Sequence, residues 1–122
     1  MGVDMSQLMR DNTPRIVKER KGEDIPASPL DDEKYHKELL ATLDEGVHDI
    51  KSANTPQTMQ SGCIIVYDAI FALLKLQGIE GHQFMRAWED NRNEWGGFDK
   101  KLGPPQAESP RPGRTGYYVL SK

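Results

Sequence analysis

The sequence predicts an all-α helical bundle that self-associates as a dimer or a larger oligomer. Three observations carry that prediction. Apolar residues recur at helical spacing in three segments of ten residues or more; Pro- and Gly-containing breaks separate those segments; and the middle one is apolar on nearly every side. A helix of that last kind needs covering by several neighbours or by a second subunit.

Taken in order, residues 1–7 carry no pattern and are expected to be loose, ahead of a helical domain spanning 8–102 and a Pro/Gly-rich tail over 103–122. Leu8 to Arg20 reads as a short extended lead-in followed by a helix. Pro14 suits its first turn, where a missing N–H breaks no bond, and Ile16 and Val17 are its apolar residues. Lys21 to Leu30 contains Gly22, Pro26 and Pro29 and is a loop. Asp31 to Ser52 is the first long helix, capped by Asp31 or Asp32. Tyr35, Leu39, Leu43, Val47 and Ile50 form its expected buried face. Ala53 to Pro56 is a loop, and Thr58 to Gln77 is the apolar central helix, ended by Gly78. Glu80 to Asn93 is a third long helix, with Phe84, Met85 and Trp88 as its apolar residues and Gly96 and Gly97 as its stop. Tyr117 to Leu120 is an apolar run expected to dock, as a short strand for instance.

Composition narrows the function. The chain of 122 residues is long enough for one domain with a modest core. A net charge of −3 provides no basic field for a nucleic-acid polymer or an anionic membrane, so neither is an expected partner. Cys63, the one cysteine, excludes an intramolecular disulfide and sits in an apolar run where a buried, inert thiol is expected. The run from Cys63 to Leu76 is interrupted by Asp68 and Lys75 and is too short to span a bilayer. The N-terminus has no basic-then-apolar signal pattern, so the expected location is cytoplasmic.

Four stretches, in order, resemble one family. They are Leu8-Met9-Arg10-Asp11-Asn12-Thr13-Pro14-Arg15-Ile16, Asp31-Asp32-Glu33-Lys34-Tyr35, Leu73-Leu74-Lys75-Leu76-Gln77-Gly78-Ile79, and Gly96-Gly97-Phe98-Asp99-Lys100. Together they are similar to the all-α nucleoside-triphosphate pyrophosphohydrolases, in particular small proteins related to MazG and phosphoribosyl-ATP pyrophosphohydrolase. The resemblance implies a MazG-like bundle that dimerises or forms tetramers. It also implies magnesium-dependent hydrolysis between the α and β phosphates of a nucleotide. The family holds its magnesium with Glu-Glu-x-x-Glu on the first long helix and Glu-x-x-Asp on the second, a spacing that places each pair of acids on one helical face.

This chain departs from that pattern. The first motif aligns with Glu45-Gly46-Val47-His48-Asp49 and the second with Gly62-Cys63-Ile64-Ile65. Of the four main ligand positions only Asp49 keeps an acid, so no metal and no cofactor are expected. Glycine inside a helix costs about 1 kcal/mol relative to alanine, so Gly46 and Gly62 call for a reason. Either two helices pack closely there, or the lost side chains open space for a ligand between them, with Gly46, Asp49, Gly62 and Ile65 as walls and His48 and Asp68 at the edge.

The resulting expectation is a repurposed protein with a metal-free small-molecule pocket that binds a ligand or catalyses an acid–base step such as isomerisation, dehydration or cyclisation. His48, Asp49, Glu45 and Asp68 are the candidate acid–base groups, with Tyr35 and Tyr67 as donors. Arg10 and Asp11, which match the family's opening, face the ligand or pin the N-terminal segment through a salt bridge. Arg92 matches a basic position ahead of the Gly-Gly-Phe segment, whose neighbour has become Asn91. His36 and His82 read as surface residues, and Trp88 and Trp95 as packing residues. Two alternatives stay open: a surviving pyrophosphohydrolase whose magnesium is held by Glu45, Asp49 and Asp68, and a non-catalytic oligomerisation partner of an active relative.

Overall fold

A computed structural model describes residues 8–105 of the chain. The described residues form four helices, α1 (Thr13–Lys21), α2 (Asp32–Ser52), α3 (Pro56–Leu76) and α4 (Gly81–Trp95), and no strand. The expected docking run Tyr117 to Leu120 and the loose segment 1–7 lie outside the described residues.

Local chemistry accounts for the helix boundaries. Pro14 occupies the first turn of α1. Asp31 stays extended and accepts a hydrogen bond from the Lys34 backbone N–H at 2.8 Å, while Asp32 and Glu33 place negative charge at the positive end of the α2 dipole. Thr55 and Thr58 form a reciprocal capping box at the start of α3, with Pro56 in its first turn. Gly78 takes the left-handed conformation at φ 82° just after α3, and Gly96 does so at φ 81° just after α4. Both positions favour glycine, which has no Cβ to strain the left-handed backbone.

The connection of three residues between α2 and α3 folds them into an antiparallel hairpin packed side by side. Gly46 lies opposite Ile65 and Val66, and Gly62 lies opposite Ile50, which fixes the register of the pair. The seam is narrow. Leu39, 3% exposed, and Ala69, 2% exposed, are the buried apolar side chains among the described residues, and Gly46 and Gly62 are buried beside them. Phe71 of α3 meets Phe84 of α4 edge to face at 5.6 Å and Tyr67 at 4.7 Å.

Two expectations about burial are corrected. Of the predicted α2 face only Leu39 is fully buried; Tyr35, Leu43 and Ile50 are half-buried, and Val47 is 37% exposed. Cys63 is exposed rather than buried. The reason is common to both. A helix apolar all round can bury only the stripe that meets a neighbour, and within this chain α2 covers one stripe of α3. By length and composition alone α3 could also cross a membrane.

The chain divides into two compact units between Met85 and Arg86. In the second, the Arg92 guanidinium lies over the Trp88 ring at 5.2 Å.

Candidate functional site

Three pieces of chain build a cleft of about 820 Å³: the segment Leu8 to Asp11 with Pro14, the loop Pro26 to Leu30, and Tyr35 from the first turn of α2. Its wall is mainly apolar, and Arg10, Asp11, Ser28 and Tyr35 supply the polar side chains. This is the composition of a small-molecule site, apolar surface with a few placed polar groups. Proline suits the loop because it fixes φ without needing a backbone N–H partner.

Arg10 also reaches α3. Its Nη1 donates to the Asp68 Oδ2 at 2.7 Å, across 58 residues of sequence. Both side chains are at least half exposed, at 62% and 50%, so the pair is worth about 0–1 kcal/mol. Its role is to position the N-terminal segment that forms one wall of the cleft. Of the two readings kept open for Arg10, the ion pair is therefore present, and the same residue lines the cleft as well.

The expected cavity between the glycines is absent, and that expectation is corrected. A Cβ on Gly62 would stand 2.9 Å from the Ile50 Cγ1, 3.0 Å from the Ile50 backbone N and 3.2 Å from the Gly46 carbonyl oxygen. A Cβ on Gly46 would stand 2.7 Å from the Val66 Cγ2 and 3.0 Å from the Ile65 Cγ2. The space beside both glycines is filled by the opposite helix. Gly46, Gly62 and Ile65 are contacts of the helix seam, and none of them lines either of the two clefts described.

The other candidates are dispersed. Asp49 lies on the wall of a second, smaller cleft of about 240 Å³, with Ser52, Ala53, Asn54, Thr58 and Ser61 at the α2–α3 turn. His48 is exposed, and its backbone carbonyl accepts the Ser52 hydroxyl at 2.9 Å. Glu45 is half-buried on α2, Tyr67 is 61% exposed on α3, and Arg92 belongs to the second unit, where Trp88 holds it. His36 and His82 are on the surface, as expected.

Among the described residues no three His, Cys, Asp or Glu side chains gather where they could share a metal ion. Gly62 and Ile65 are packed against α2, so at those two positions α3 offers no carboxylate to share an ion with Glu45 and Asp49. The residues present do not fit the magnesium that the resemblance implies. Asp68, the remaining acid of that alternative, is engaged by Arg10.

The sequence reading picked out Arg10, Asp11 and Tyr35 and missed the opposite wall of the cleft, Pro26, Ser28, Pro29 and Leu30. The available signal was an apolar–proline pattern, Ile25-Pro26 and Pro29-Leu30, inside a stretch treated only as a loop. Comparison with known proteins finds no matching family model, no similar curated protein and no similar solved structure.

Proposed function

We propose that this chain is a divergent MazG-like protein that binds a small molecule, without the family's metal, in the cleft walled by residues 8–14, 26–30 and Tyr35. One observation carries the reading: the adjacent Arg10 and Asp11 meet Tyr35, from a separate part of the sequence, on one cleft with apolar walls. A guanidinium, a carboxylate and a phenol on that background suit a ligand with an apolar or aromatic body and polar groups at its edge. Binding has more support than acid–base turnover, because Glu45, His48 and Asp49 do not line this cleft and Asp68 is committed to Arg10.

The reading keeps the chain off the membrane and in the cytoplasm. In a bilayer, α3 would place Asp68 two residues past its midpoint, Val66, where a charged group costs roughly 2.5–3.5 kcal/mol or more.

The test is a thermal-melt screen of the full chain against nucleosides, nucleotides and small aromatic acids. At least one compound is expected to raise the melting temperature. Tyr35→Ala and Asp11→Ala are each expected to weaken its binding about tenfold, the loss of roughly 1.4 kcal/mol, while Asp49→Ala leaves it unchanged. Sensitivity confined to Asp49→Ala would move the site to the smaller cleft and refute the assignment.

A further inference from the structure

The charges on the cleft wall are unequal once their partners are counted. Arg10 and Asp11 are the charged residues that line it. The Arg10 guanidinium is already paired, its Nη1 donating to the Asp68 Oδ2 at 2.7 Å. Asp11 is exposed and has no hydrogen-bond or ion-pair partner among the described residues. The carboxylate is therefore the charge left open to a ligand.

Neighbouring groups do not restore the balance. On α1, Arg15 pairs with Glu19 at 3.1 Å and Lys18 with Asp24 at 3.2 Å. Arg20 and Lys21 sit in the last turn, at the opposite end of that helix from Pro14. Between the wall residues Leu30 and Tyr35 the chain adds Asp31, Asp32 and Glu33 against Lys34. The start of α2 carries the equivalent of roughly half a positive charge, and Asp31 already caps it.

The wall is also poor in the donors an anion needs. Anions are held by N–H groups, whereas an ammonium is held by oxygen acceptors. Pro14, Pro26 and Pro29 each have a carbonyl oxygen and no backbone N–H. The Ser28 hydroxyl and the Tyr35 phenol can both accept, and an aromatic ring attracts a cation to its face.

We propose that the ligand of this cleft is a cation, an apolar or aromatic molecule carrying one protonated amine, with Asp11 as its counter-charge. The inference rests on the reading of this cleft as the ligand site and adds the sign of the ligand's charge. A phosphate group meets the same field with the opposite sign, so a nucleoside enters more readily than its nucleotide.

Tryptamine, tryptophol and indolepropionate test the proposal, because they share an indole and differ in carrying an ammonium, a hydroxyl or a carboxylate. Each is titrated calorimetrically into the full chain at low ionic strength. Tryptamine is expected to bind about tenfold tighter than indolepropionate, with tryptophol between them. Asp11→Asn keeps the size of the side chain and removes its charge. It is expected to weaken tryptamine about fivefold while leaving tryptophol within about twofold. Indolepropionate binding as tightly as tryptamine, with Tyr35→Ala weakening both, overturns the charge assignment and leaves the cleft in place. A tryptamine preference that survives Asp11→Asn overturns Asp11 as the counter-charge. Binding of all three that ignores Tyr35→Ala places them elsewhere and overturns the cleft reading itself. No binding by any of them at millimolar concentration overturns the proposal outright.

Discussion

Replacing Gly62 with leucine is expected to take the α2–α3 hairpin apart. Even a Cβ is tight at this position, because two of the three nearest atoms are backbone, the Ile50 N at 3.0 Å and the Gly46 carbonyl oxygen at 3.2 Å. A flexible side chain could swing away, but backbone on the facing helix cannot yield without moving that helix. The expected cost is about 3 kcal/mol, the upper end of the usual range for overpacking, read as a large fall in melting temperature by circular dichroism. Gly62→Ala gives the sharper test, because the sign is at stake. Helix propensity alone would stabilise the protein by about 1 kcal/mol; the contact geometry predicts destabilisation. A higher melting temperature for Gly62→Ala would mean that the helices do not approach as closely as 2.9 Å from Ile50 to a Cβ on Gly62 implies.

Leu39→Ala is expected to have the next largest effect. Leu39 is 3% exposed and is the one large buried side chain in the seam. Leucine-to-alanine changes in well-packed cores cost roughly 2–5 kcal/mol, with the spread set by how far the surroundings collapse into the space. A hairpin with an open side can close down, so a loss of about 2–3 kcal/mol is expected here. Urea unfolding measures it, and a loss below about 1 kcal/mol would mean that the hairpin is held chiefly by contacts outside its seam.

Much of the fold was legible because helix boundaries are written in local chemistry. Asp31, Pro14, Gly78 and Gly96 each act at the position where their residue type predicts it. Gly46 and Gly62 could not be resolved the same way. A missing side chain reads identically in sequence whether a ligand or a helix fills the gap, and only the distance to Ile50 and Val66 decides. Cys63 and Val47 were placed inside because their segments are apolar, but burial needs a covering partner, and among the described residues none covers either of them. The cleft was half legible. Arg10, Asp11 and Tyr35 stood out as residue types, but the wall opposite them comes from an irregular loop, and the ion pair that holds the strap spans 58 positions. No local pattern encodes a contact of that range.

Central to this account is ligand binding that does not pass through a metal. The most direct measurement is the melting temperature of the full chain with a panel of nucleotides and related small molecules, taken once in EDTA and once in magnesium, with released pyrophosphate assayed alongside. A ligand at a hundredfold over its dissociation constant stabilises by about 2.7 kcal/mol, which such a melt resolves easily. The account predicts the same upward shift in EDTA as in magnesium, and no pyrophosphate. A shift that requires magnesium, accompanied by pyrophosphate release from a nucleoside triphosphate, would contradict it.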